Sequence, residues 1–318
     1  MVTQLAALPE GELISIVILT YNRPDSLSKS LNYIGKIKHR PLEVIVVDNH
    51  SDIPVDAIVD QYEFARVIRT EANLGVGGRN RGLAEVRGNI VITLDDDVYG
   101  VTDEALIILW NLFIDTEIGA VCFKVTDEVT DEVINWCHHY RQDEYSDHQF
   151  MTNEITEGAV AFRVSALRQS GYYPERFFIS HEGPDLAFRL MNVGYKVLYT
   201  PSIVVKHSHA IAGRPNWRRY YYDTRNLLWL ALRNYPFWYG VKRLSIGLGA
   251  MFVYALRDGF LRYWFKGVFD ALRAAPEVLG ERTGMTAHTI MLNRQIESFR
   301  PSFWYMLKKR LFSKKVRI

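Results

Sequence analysis

The stretch that most constrains this chain is residues 89–98, N-I-V-I-T-L-D-D-D-V, where the apolar run 90–94 stops at three consecutive carboxylates, Asp95, Asp96 and Asp97. Five apolar or β-branched residues ending this way read as a buried parallel strand whose carboxyl end opens into a cleft. In extended chain, positions i and i+2 share a side, so Asp95 and Asp97 are expected to aim at one point while Asp96 faces away. Three adjacent negative charges repel unless something cationic sits among them, and a hard divalent ion carrying phosphate oxygens would serve. A solvated acidic turn capping the next helix is the plainer alternative.

The surroundings repeat one rhythm. Residues 15–21 (S-I-V-I-L-T-Y), 43–49 (E-V-I-V-V-D-N), 65–70 and 120–125 read as further strands, separated by helical patterns through Leu27, Leu31 and Ile34, around 55–62 and across 103–114. Such alternation predicts an α/β fold, a mostly parallel open sheet flanked by helices. Ligands of such sheets bind beyond the carboxyl ends of the strands, where Thr20, Tyr21, Asn22, Asp48, Asn49 and the Asp triplet fall. Gly75, Gly77, Gly78 and Gly82 open a helix after the third strand. They lack the G-x-G-x-x-G spacing of dinucleotide binders, and no G-K-[ST] phosphate loop occurs. Two cysteines, Cys122 and Cys137, make neither a disulfide framework nor a zinc pattern, which points to a reduced, cytoplasmic setting. Residues 1–13 lack the basic start and long apolar core of a signal peptide.

Residues 126–153 form a polar, acidic segment with Trp136, His138, His139 and His148, suited to a substrate lid. Trp136 could stack on a sugar or simply anchor the loop. The histidines could line an acceptor pocket, face solvent or bind metal. A strand is expected over 157–164, a helix from Gly183-Pro184 to Asn192, and extended pieces over 195–199 and 202–209. Charge divides the chain: residues 1–212 carry 18 Lys and Arg against 30 Asp and Glu, whereas residues 213–318 carry 20 against 6. The basic part is also rich in Trp, Phe, Tyr and Leu, which suits an anionic membrane surface rather than nucleic acid.

With these residues in view, the chain resembles the inverting family-2 glycosyltransferases of GT-A fold, in a rhamnosyl- and galactofuranosyltransferase-like branch. The resemblance spans residues 14–210 and rests on S-I-V-I-L-T-Y-N-R, E-V-I-V-V-D-N, N-L-G-V-G-G-R-N-R-G, the D-D-D strand end and F-F-I-S-H-E-G-P-D-L-A-F-R. It implies that Thr20, Tyr21 and Asp48 contact the nucleotide base and ribose, and that Arg79 holds the nucleotide or its phosphates. Asp95 and Asp96 would lie at the diphosphate of a nucleoside-diphosphate sugar, dTDP- or UDP-linked. Asp95 and Asp97 would bind Mn²⁺ or Mg²⁺, with His207 completing the set and His209 in reserve; oxygen donors plus one imidazole suit these ions better than zinc. Many relatives carry E-D-x-D-L before the helix, the second carboxylate deprotonating the acceptor. Here the segment is Glu182-Gly183-Pro184-Asp185-Leu186, so the base falls to Glu182 or Asp185.

The charge and composition change thus divides the chain into a domain over 1–212, catalytic by the resemblance, and a helical C-terminal region, 213–318. The apolar segment between Arg243 and Arg257 holds 13 residues. That is roughly 20 Å of helix against a hydrocarbon core of roughly 30 Å, so a helix lying in the membrane interface is expected, not a spanning one. The polybasic run 308–317 would strengthen that contact. A helical subdomain packed on the catalytic one, or a homo-oligomer interface, explains the same composition. The expected protein is a peripheral enzyme at the inner membrane face, acting on a cell-surface glycan or lipid-linked acceptor. An inactive glycan- or nucleotide-binding scaffold and a nucleotidyltransferase are the alternatives.

Overall fold

The computed structural model describes residues 5–208, 217–302 and 304–305. Its strands are β1 (Ile14–Thr20), β2 (Leu42–Asp48), β3 (Ala65–Arg69), β4 (Ile90–Asp95), β5 (Val98–Tyr99), β6 (Ile118–Asp127), β7 (Phe150–Met151), β8 (Ala159–Arg163) and β9 (Lys196–His207). The helices are α1 (Pro24–Ile34), α2 (Asp56–Val59), α3 (Arg79–Leu83), α4 (Asp103–Phe113), α5 (Gln142–Tyr145), α6 (Val164–Ser170) and α7 (Glu182–Asn192). Five more follow the last strand: α8 (Trp217–Asn234), α9 (Phe237–Arg257), α10 (Leu261–Arg273), α11 (Ala275–Gly280) and α12 (Ala287–Glu297).

One sheet runs β3-β2-β1-β4-β8-β6-β9-β5, with β7 added against β9. The expected parallel arrangement holds from β3 through β4. Past β4 the sheet is mixed, because β8 lies antiparallel between β4 and β6. The two extended pieces expected at 195–199 and 202–209 are a single strand, β9, whose register against β6 shifts between Phe123 and Lys124. That irregularity absorbs Pro201, which has no N–H to give a ladder.

Apolar runs with no polar interruption belong to strands covered on both faces. Val17, Ile45 and Val47 meet α3, α6, α7 and α8 on one side. Ile16, Ile18, Val44 and Val46 meet α1, α2 and α4 on the other. Each such side chain contributes roughly 1.5–3 kcal/mol of burial. Residues 126–153 are tied down by aromatic packing. Trp136 donates its indole N–H to the Tyr140 carbonyl at 2.8 Å and lies edge-on to Phe150 and Tyr199, the loop-anchoring role. His138 is buried beside it, bonded to Thr152, and its pKa falls to about 3 through burial.

The C-terminal helices share the first of these cores. Trp229, Leu230, Ala271, Val278 and Leu292 pack into one cluster with Leu186 and Leu190 of α7. α9 is longer than its apolar segment, 21 residues, yet no helix among the described residues is long and apolar enough to cross a membrane. The polar lock between α7 and α8 is Asp185, fully buried, which accepts from Arg189 at 2.9 Å, Arg233 at 2.8 Å and Asn234 at 2.8 Å. Burial pushes its carboxyl up, but Arg189 and Arg233 outweigh that and hold it below the usual range. Removing one member of such a network strands buried charge. Asp185→Ala should therefore cost about 3–5 kcal/mol in urea unfolding.

Candidate functional site

A cleft of about 460 Å³ opens at the carboxyl ends of β1, β2 and β4. Its walls include Thr20, Tyr21 and Arg23 after β1, Asn49 after β2, Asn73 and Arg79 from the glycine turn, and Asp95 and Asp96 of the acidic tip. Glu157 stands just ahead of β8, Ser180 and Glu182 at the approach to α7, and Arg218 on α8. A second hollow of about 340 Å³ lies at the opposite end of β4, around Gly88, Ile90 and Arg163, and has no carboxylate in its lining.

The triplet is disposed differently from simple alternation. β4 ends at Asp95 and the next two residues form a turn, so the i, i+2 rule stops applying there. Asp95 pairs with the buried Arg79. Asp96 and Asp97 share one guanidinium, that of Arg23, and Asp96 also accepts from Thr20 at 2.8 Å. Burial and the neighbouring Asp97 push Asp96 up to about 7. For Asp97 burial acts upward too, but the bond with His207 and the charge of Arg23 prevail and lower its pKa. His207 Nε2 stands 3.2 Å from Asp97 Oδ1.

As a donor set, two carboxylates and an imidazole suit Mn²⁺ or Mg²⁺ in chemistry. They are not gathered in advance: among the described residues no three His, Cys, Asp or Glu side chains converge as a metal site. Arg23 and Arg79 meet the need for positive charge at the tip. His209 lies outside the described residues.

The other expected residues divide. Thr20, Tyr21, Arg79 and Glu182 line the cleft. Asp48 is not part of its lining. It is fully buried, bonded to the Ser51 amide at 2.8 Å and paired with Arg69, so it shapes the loop after β2 from behind. Asp185 is likewise outside, spent on the α7–α8 lock. Glu182 is 4% exposed; burial pushes its carboxyl up to about 7, and its Oε2 has no hydrogen-bond partner among the described residues. Glu157, half-buried beside it, is pushed well above the ordinary value by burial and by Glu182.

Sequence reasoning missed Arg23, Glu157 and Arg218. Arg23 stood inside the first motif and could have been flagged as the cation nearest the acidic tip. Glu157 and Arg218 carried no local signal, because only folding brings them to the cleft. The wall formed by Phe178, Ile179 and Ser180 is held by α8: Asn226 donates to the carbonyls of Phe177, Ile179 and Ser180 at 2.7–2.9 Å, and Ser180 donates to Asp223 at 2.7 Å. Phe178, Ser180 and His181 all have positive φ, a strained run that these bonds maintain. Gly75 completes the fit. Its φ is +61°, and a Cβ there would lie 2.0 Å from the Phe178 carbonyl oxygen.

Residues 15–170 match the family model described as Glycosyl transferase family 2. Those residues are a family-2 glycosyltransferase domain. This enzyme is 22% identical over 222 residues to the O-antigen chain rhamnosyltransferase WbaN of Salmonella anatum, covering 65% of this chain and 70% of that one. It is 26% identical over 238 residues to the N-acetylglucosaminyl-diphospho-decaprenol L-rhamnosyltransferase of Mycobacterium tuberculosis, covering 63% and 77%. In fold, the glycosyltransferase is similar to the mannosyltransferase PcManGT from Pyrobaculum calidifontis in complex with GDP-Man and Mn²⁺. There the TM-score is 0.54 at 16% identity, over 99% of this chain and 92% of that one. The GT-A expectation therefore holds, with a helical C-terminal region added.

The displaced proton affinity of Glu182 gives a stability test. Its pKa rises from an ordinary value of 4.5 to about 7 on folding. The folded state thus binds the proton more tightly, and stability is lost as pH climbs from the first value through the second. Glu182→Gln should be more stable than wild type above pH ~7, by up to about 3 kcal/mol. The gap should close below pH ~4.5 in thermal melts.

Proposed function

We propose that this glycosyltransferase moves a sugar with inversion, L-rhamnose from dTDP-rhamnose in the first instance and a UDP-linked sugar in the second. The acceptor is a hydroxyl of a sugar carried on a polyprenyl diphosphate. The observation that carries the reading is the cleft itself, in which basic groups and a buried, proton-avid carboxylate face one cavity at the carboxyl ends of the strands. The rhamnosyl- and lipid-diphosphate relatives support the choice of donor and acceptor.

Thr20, Tyr21 and Asn49 receive the nucleoside, with Asp48 bracing the loop behind. Arg218 lines the cleft and has a buried Nε with no acceptor among the described residues, which suits it to a phosphate oxygen. Asp95, Asp97 and His207 would hold a divalent cation, Mn²⁺ or Mg²⁺, which supplies positive charge for the departing diphosphate. Glu182, the carboxylate of α7 that remains open to the cleft, accepts the acceptor's proton as its oxygen attacks the anomeric carbon. Asp185, spent on three donors, is left to structure.

Membrane association belongs to the same proposal. Trp238, Val253 and Leu256 of α9 and Phe265, Phe269 and Leu272 of α10 are exposed large apolar side chains, and Lys242, Arg262 and Arg273 are exposed near them. Apolar side chains flanked by basic ones fit the interface of an anionic bilayer. The polybasic run 308–317 lies outside the described residues. The enzyme would then work at the cytoplasmic face, where a lipid-borne acceptor is presented. Trp238→Asp with Phe269→Asp should reduce co-flotation with phosphatidylglycerol vesicles by tenfold or more; unchanged flotation would refute the membrane role.

The transfer reading is tested by supplying dTDP-rhamnose and UDP-sugars, with Mn²⁺ or Mg²⁺ and N-acetylglucosaminyl-diphospho-undecaprenol, and measuring release of the nucleoside diphosphate. Asp97→Ala should abolish the metal-dependent heat of donor binding in calorimetry. Glu182→Gln should keep that heat and turn over about 10²–10⁴ times more slowly. Absence of donor binding and turnover across the panel would refute the reading.

A further inference from the structure

The head of α7 contains a vacancy that another element fills. Position 183 is glycine, between Glu182 and Pro184. A Cβ built there would lie 2.2 Å from Glu157 Oε1, 3.2 Å from Glu157 Cδ and 2.6 Å from the Ile155 carbonyl oxygen. No side chain fits at that distance. The space beside Glu182 that a side chain at 183 would occupy is thus taken by a carboxylate arriving from the loop ahead of β8. Gly183 and Glu157 are complementary, since the absence of one side chain admits the other.

Glu157 also faces the right place. It lines the cleft together with Glu182, Arg79 and Asp95. Among the described residues, no lysine or arginine forms an ion pair with Glu157 or Glu182. Every other carboxylate of the cleft is paired, Asp95 with Arg79 and Asp96 with Arg23. A carboxylate lining a reaction cleft without a cationic partner is not spent on holding the fold together, in contrast to Asp185.

The geometry points to Glu157 as a second catalytic carboxylate of this enzyme, supplied by the loop ahead of β8 in place of a side chain on α7, and acting with Glu182 on the acceptor. As the acceptor oxygen bonds to the anomeric carbon, the bond from that carbon to the diphosphate oxygen breaks and its electron pair leaves with the diphosphate. The hydroxyl proton passes to Glu182 and is later lost to water, while Glu157 accepts a hydrogen bond from a neighbouring hydroxyl of the acceptor sugar. No oxidant or further reactant is required. With two carboxylates rather than one, the acceptor is held at two points, which fixes the attacking oxygen as well as deprotonating it.

The role assigned to Glu157 rests on the glycosyl-transfer reading of the cleft, and one set of measurements separates the two. Wild type, Glu157→Gln and Glu157→Ala are assayed for nucleoside-diphosphate release from dTDP-rhamnose and UDP-sugars, with Mn²⁺ and the lipid-linked acceptor, and for donor binding by calorimetry. The expected result is a Glu157→Gln enzyme that binds donor within about threefold of wild type and turns over at least 10²-fold more slowly. Glu157→Ala, which opens a hole in place of the carboxylate, should regain at least tenfold of its lost rate in sodium formate, whereas Glu157→Gln, whose amide fills the space, should not. A purely structural Glu157 predicts near-normal turnover for the isosteric amide and no formate rescue, and either result would overturn the proposal. Turnover absent from wild type with every donor would instead bring down the glycosyl-transfer reading, and the role of Glu157 with it.

Discussion

The interaction on which this structure depends is the compensation of charge at the tip of β4. Three consecutive carboxylates cannot be packed together without opposing charge, because their repulsion grows as water is withdrawn. The fold answers with two arginines drawn from different elements, Arg79 from the glycine turn after β3 and Arg23 from the start of α1. Each pins a loop to the acidic tip. The result is a cleft in which Asp95 and Asp96 of the tip face a lining of Arg23, Arg79 and Arg218 together with Glu157 and Glu182.

The second constraint comes from α8. The segment that carries Phe178 and Ser180 past the cleft runs through left-handed backbone at several non-glycine residues, which costs of order 1–3 kcal/mol each. Asn226, buried in α8, satisfies three of that segment's carbonyls, and Arg225 reaches the Phe177 carbonyl at 2.8 Å. The Asp185 lock fastens the same helix to α7. The C-terminal helices are therefore part of the site's support as well as a candidate membrane face, and the two accounts of that region's composition are compatible. The packed face of α8 explains its buried aromatic residues, while the exposed Trp, Phe and Leu of α9 and α10 are left for a partner surface.

Much of this was legible from local pattern. Continuous apolar runs announced strands covered on both sides, and the abrupt change to carboxylates marked where the cleft would open. Thr20 and Asp95 were found because they stand at strand ends, where position along the chain predicts position in space, and Arg79 and Glu182 because they fall in motifs that carry the resemblance. Asp48 and Asp185 occupy equally suggestive places and are turned away from the cavity. Their neighbours in three dimensions, Arg69 and Arg233, claim them. The mixed sheet beyond β4 was not visible, because periodicity reports burial and says nothing of strand direction.

By itself, then, the amino-acid order determined the α/β class, the cleft at the carboxyl ends of the strands, the acidic tip and the basic, aromatic C-terminal third. Those properties are written in short windows, as runs, spacings and charge. Tertiary structure alone decided which carboxylates remain open to the cleft, that α8 braces its wall, and that Glu157 fills the space left by Gly183. Each of these depends on contacts between residues far apart along the chain, and a side chain's charge state and reach are set by whatever neighbours the fold places beside it.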